Sequence, residues 1–184
     1  VLDLLARRHG LSWDAADLAR EAATVRWRRA GGQVLLAKPL TFMNLSGRAV
    51  QALLGFYKVD VPDLLVVTDD VNLPLGRLRA RPGGSEGGHN GLRSIAQSLG
   101  TIDYARLRVG VGRGDMRRDL ADHVTARFDP DEQPEIDRAT IRAADAVELW
   151  IAEGVQRVMH TYNRAETDSL PPPDRGGPGP EGGT

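Results

Sequence analysis

The sequence predicts an α/β sandwich built on a mixed sheet. Short apolar runs of strand type alternate along the chain with stretches whose apolar residues recur at i, i+3, i+4 and i+7. Two strand-like runs flank a glycine pair and read as one antiparallel hairpin, which would make the sheet mixed. The 184 residues, 41% hydrophobic and 27% charged, suit one domain with a full core and show no internal repeat.

Each element follows from its local pattern. Val1 to Ala6 reads as a helix with Leu2 and Leu5 on one face, ended by Gly10. No capping residue precedes it, which leads us to expect missing upstream sequence. Leu11 to Arg20 is polar and reads as a loop. Ala23 to Arg29 and Gln33 to Lys38, separated by Gly31-Gly32, form the hairpin, and Pro39 ends its regular pairing. Asn44 stands where an N-cap belongs, ahead of a helical stripe of Leu45, Ala49, Leu53 and Phe56. Leu64 to Val67 is a continuous apolar run, expected to be covered on both faces, and it ends in Thr68-Asp69-Asp70. Gly76 to Arg81 alternates arginine with small or apolar residues, as a half-buried strand with one basic face would. Tyr104 to Gly112 is a further strand carrying Arg106 and Arg108, and Asp119 to Phe128 a short amphipathic piece. Asp129-Pro130 opens a long helix to about Glu153, Gly154 breaks it, and Val155 to Asn163 gives a last helix. From Leu170 onward the Pro/Gly-rich text cannot bury a core and is expected to be disordered.

Chemistry concentrates in Pro82 to Gly91, P-G-G-S-E-G-G-H-N-G. Five of these ten residues are glycine, too many for a helix or strand, and their bare N–H groups can approach anions or ester oxygens. The run delivers His89 and Asn90 to the start of a helix whose face is Leu92, Ile95, Ala96 and Leu99. A flexible glycine linker before a helix is the structural alternative. Asp69, at the C-terminal end of a strand, is placed to orient an imidazole or stabilise an imidazolium. A turn aspartate bonded to its own backbone is the alternative there, and plain capping is the alternative for Asn44.

Charge distribution says more than net charge, which is −1. From Arg77 to Arg118 nine arginines face three acids, a zone that can track a phosphate backbone or be ordinary solvated charge. With no cysteine, disulfides and thiolate chemistry are excluded, and with four scattered histidines a transition-metal site is not expected. No apolar run approaches the length of a membrane span and no leader pattern precedes the first helix, so a cytoplasmic protein is expected. The glycine loop lacks the Lys-Ser/Thr of a P-loop, and Gly110-Val111-Gly112-Arg113-Gly114 has the wrong spacing for a dinucleotide fingerprint.

Four stretches in order carry a resemblance: K-P-L-T-F-M-N-L-S-G, L-L-V-V-T-D-D-V-N-L-P-L-G, G-G-S-E-G-G-H-N-G-L-R-S-I and R-L-R-V-G-V-G-R. Together they resemble bacterial peptidyl-tRNA hydrolase from Val1 to about Arg164. The resemblance implies a three-layer α/β/α sandwich with a mixed central sheet. It implies a cytoplasmic monomer that hydrolyses the ester between a peptide and the 3′-terminal ribose of tRNA, without metal or cofactor. It implies that Phe42, Asn44 and Asn90 contact the tRNA end, that Met43 lines the cleft, and that Asn44 helps hold the ester or water. Asp69 would support a basic histidine, and His89 would aid substrate binding. Arg79, Arg81 and Arg108 would meet phosphates towards the acceptor stem. The resemblance also places the basic histidine and the first strand upstream of Val1. The expectation is therefore a truncated domain over 1–164, impaired in catalysis, with 165–184 as a tail. A non-catalytic RNA-binding relative of the same fold is the alternative.

Overall fold

The computed structural model describes residues 1–14, 21–112 and 127–164. Most of the amphipathic piece expected over Asp119 to Phe128, the Pro/Gly-rich tail, His123 and the arginines at 113, 117 and 118 lie outside them.

Helix α1 (Leu2–Arg8) leads into the hairpin of β1 (Ala22–Arg29) and β2 (Gly32–Pro39). Their register runs from Ala22↔Pro39 to Arg29↔Gly32, leaving Ala30-Gly31 as a two-residue link. A 3-10 turn at Met43–Leu45 precedes α2 (Ser46–Tyr57). Then come β3 (Leu65–Asp70), β4 (Leu78–Arg81), α3 (Asn90–Leu99), β5 (Ala105–Gly110) and α4 (Gln133–Tyr162). At Gly154 the backbone of α4 swings to φ 80° and ψ 176°, the break expected there.

Helices cover the sheet on both sides, giving the expected three-layer α/β/α sandwich. Strand alternation does the sorting. Leu78, Ala80 and Leu107 point to the side of α1 and α4, where they pack with Leu5, Ala143 and Val147. Val66 points the other way, to Val50 of α2, Leu92 and Ile95 of α3, and Tyr104. Ala139, Ala143, Ala144 and Ala146 are fully buried, so α4 lies close to the sheet.

The sheet is mixed, but not through the hairpin. Strand order is β3-β5-β4, with β3 parallel and β4 antiparallel to β5. Among the described residues β1 and β2 pair only with each other. The mixture arises because the chain turns back through Leu73 to Gly76 and returns as β4. A second difference is β3, most of which is half-buried rather than covered on both faces. Among the described residues it is an edge strand of its sheet, which leaves part of its side chains open. A third is Asn44, which lies inside the 3-10 turn and caps no helix: the cap position of α2 is Leu45, with no side-chain bond.

Candidate active site

The glycine loop is gripped from beneath. Arg106 and Arg108 alternate with apolar Leu107 and Val109 on β5, so both project from the face opposite α4. Arg106 donates to the carbonyls of Ser85 at 2.9 Å and Ile102 at 3.0 Å, with its guanidinium 4.6 Å from the Tyr104 ring. It is 1% exposed, and burial pulls it below its ordinary pKa. Arg108 bonds Asp70 at 3.1 Å and the carbonyls of Ser85 and Glu86 at 3.2 Å each. Gly87, at φ 59°, lets the loop lie on that guanidinium: a Cβ there would meet Arg108 Nη2 at 3.1 Å. Loop carbonyls are thus turned down onto arginine.

His89 is the N-cap of α3, as the sequence placed it. Its Nδ1 accepts the backbone N–H of Gly91 at 3.1 Å and of Leu92 at 3.2 Å. A nitrogen that accepts two N–H groups carries a lone pair, so the ring proton sits on Nε2. Nε2 lies 3.2 Å from Asp69 Oδ1 and 2.5 Å from Thr68 Oγ1. Both ring nitrogens are therefore committed within the protein. The His89 bond is the main reason the Asp69 carboxyl lies below its ordinary pKa, with burial opposing it. Asp69 accordingly stays ionised until pH falls below the usual carboxylate range. The pairing's contribution to stability is present above that range and lost beneath it.

The 3-10 turn closes the other wall. A Cβ at Gly91 would meet Met43 Sδ at 2.6 Å, so the methionine is packed directly against this glycine. Met43 therefore lies on the first turn of α3. Gly47 brings α2 equally close to α3, its amide bonding Ser94 Oγ at 3.0 Å. Phe42 and Asn44 flank Met43 and are exposed, Phe42 at 81%. Asn90, also exposed, opens α3 beside His89. Asp69 and His89 thus meet where β3 ends and α3 begins, with Met43 against the first turn of α3 and Phe42, Asn44 and Asn90 as exposed chain neighbours of these residues.

The three phosphate candidates do not join them there. Arg79 and Arg81 line a separate groove of about 860 Å³, shared with Arg77, Asp103, Met159 and Asn163. Arg108 lies under the loop, bound as described. The other described histidines are elsewhere: His9 stacks on Trp27 at 3.8 Å and pairs with Glu148 at 2.8 Å, and His160 is in the last turn of α4. Among the described residues no three His, Asp or Glu side chains gather as metal ligands would. Thr68, Asp70 and Arg106 were not singled out as site residues. The one available signal was alternation, since Thr68 and Asp70 share a parity across which Arg108 reaches.

A family model for peptidyl-tRNA hydrolase matches residues 1–169. The chain belongs to the peptidyl-tRNA hydrolase family. A peptidyl-tRNA hydrolase of Chloroflexus aurantiacus is 46% identical over 163 residues, covering 88% of this chain and 86% of the relative. One of Symbiobacterium thermophilum is 42% identical, covering 89% and 86%. The crystal structure of peptidyl-tRNA hydrolase from Acinetobacter baumannii superposes with a TM-score of 0.80 at 30% identity, covering 88% of this chain and 82% of that one. The expected enzyme class, hydrolysis of the ester between peptide and tRNA, stands with this membership. The expected span, a truncated domain over 1–164, is corrected to the residues the family model matches, 1–169. The family match starts at the first residue, and the two curated relatives are covered over 86% of their own length.

Proposed function

We propose that the surface between the 3-10 turn, the end of β3 and the start of α3 is where the ester of peptidyl-tRNA is cleaved. Asp69 is the anionic group of the site. As the resemblance implies, it stabilises the positive charge on a basic imidazole that takes the proton of the attacking water, and His89 holds Asp69 in place. His89 is not itself the base, because each ring nitrogen already has protein partners. Asn44 and Asn90 offer amides to the ester and the terminal ribose. Phe42 and Met43 form an apolar platform for the tRNA end, and aromatic stacking of this kind contributes about 1–3 kcal/mol per base. Arg79 and Arg81 meet phosphates of the acceptor stem beyond the loop.

The observation that carries this reading is the Asp69–His89–α3 chain of bonds beside the Met43 turn. Asp69→Asn is its test. Turnover of peptidyl-tRNA should fall by about a hundredfold or more, the size of a proton-transfer contribution, while KM changes little. A change in KM alone would remove Asp69 from the chemistry. The reading takes the chain as a cytoplasmic monomer; no helix among the described residues is long and apolar enough to cross a membrane. It takes the catalytic unit to end near Arg164.

A further inference from the structure

The outer edge of β4 is closed by a side chain rather than by a strand. β4 is four residues long, and among the described residues it pairs within its sheet only with β5. An edge of this kind leaves backbone N–H and C=O groups without partners. At Ala80 both are taken by Asn163, which follows the last turn of α4. Ala80 N donates to Asn163 Oδ1 at 2.8 Å, and Asn163 Nδ2 donates to Ala80 O at 2.9 Å. A side-chain amide has the donor and acceptor of a peptide group, so Asn163 stands in for one residue of a neighbouring strand. A third bond ties the same point: Arg77 Nη2 donates to the Asn163 carbonyl at 2.6 Å. Asn163 is anchored in turn by its own N–H to Met159 O at 3.1 Å.

Ala80 lies between Arg79 and Arg81. Its side chain is buried at 1% exposure, while both arginines are exposed on the opposite face. Fixing the Ala80 peptide therefore fixes the direction in which the two guanidiniums leave the strand. Arg77, Arg79, Arg81 and Asn163 line the same groove, with Asp103 as its acid.

We propose that Asn163 is a positioning residue for RNA docking: its amide holds the edge of β4 so that Arg79 and Arg81 present a preformed pair of cations to a phosphate backbone. This rests on the reading of Arg79 and Arg81 as phosphate contacts. The test compares Asn163→Ala, Arg79→Ala and the double variant in the full chain, using deacylated tRNA across a salt series and peptidyl-tRNA turnover. For Asn163→Ala, tRNA Kd and KM should rise about tenfold, as loss of paired hydrogen bonds allows, with kcat unchanged. The double variant should lose less than the two single losses combined, because Asn163 acts through the arginines. If Asn163→Ala does not fold, Asn163→Asp keeps the bond from Ala80 N–H and serves in its place. Unchanged tRNA affinity in the Asn163 variant, with weakened binding in Arg79→Ala, would overturn the positioning role alone. Unchanged affinity in Arg79→Ala would overturn the phosphate reading and the inference resting on it.

Discussion

On one side of the glycine loop Thr68, Asp69 and His89 hold one another, and on the other Arg79 and Arg81 stand exposed. The first region has its polar atoms committed to protein partners before any substrate arrives. That costs no reorganisation during a reaction and suits chemistry. The second keeps its charges in water, where they attract a polyanion at long range and follow salt. Between them, Arg106 and Arg108 bond the loop's own carbonyls. They carry the same charge as Arg79 and Arg81, but burial has turned them into struts for the loop.

This contrast is open to direct attack. The largest effect should come from Asp69→Asn against Arg79→Ala. The first should depress kcat and leave the salt dependence of tRNA binding intact; the second should flatten that dependence by about one phosphate contact and spare kcat. If both variants moved the same parameter, the two regions would not be separate. Next comes Gly47→Ala. A Cβ there would lie 2.1 Å from the Ser94 carbonyl oxygen, so α2 and α3 must separate. We expect a loss of about 1–3 kcal/mol in a denaturant titration, with turnover reduced and the salt slope for tRNA unaltered. A slope that changed would mean that the helix pair also shapes the groove. The smallest expected effect is on stability in Asn44→Ala. Removing a true N-cap costs about 0.5–2 kcal/mol. Asn44 caps nothing, so its Tm should stay close to wild type while turnover falls. A cap-sized loss in Tm would return Asn44 to a structural role.

Much of the fold was legible because it depends on near neighbours in sequence. The hairpin, the helix after His89-Asn90 and the break at Gly154 all follow from periodicity and glycine placement. Asp69, His89 and Asn90 could be placed for the same reason: each sits at or beside an element's end. The errors have a common cause. Whether Asn44 caps depends on whether the chain enters α2 directly or through a 3-10 turn, and Met43 packing on Gly91 favours the turn. Whether the hairpin joins the main sheet depends on pairing between distant segments. The reading of the glycine loop as a cradle of free N–H groups missed the arginines that bind its carbonyls, 21 to 23 residues further on.

Element order and the α/β class are written in local pattern, because alternation and capping act within a few residues. Which polar side chains pair depends on the packed core. The proton on His89 sits on Nε2 because Asp69, 20 residues earlier, and the turn of α3 claim opposite edges of one ring. The direction of Arg79 and Arg81 depends on an asparagine 83 residues beyond Ala80. Partners at such separations are brought together by packing of the whole core, which no local pattern encodes.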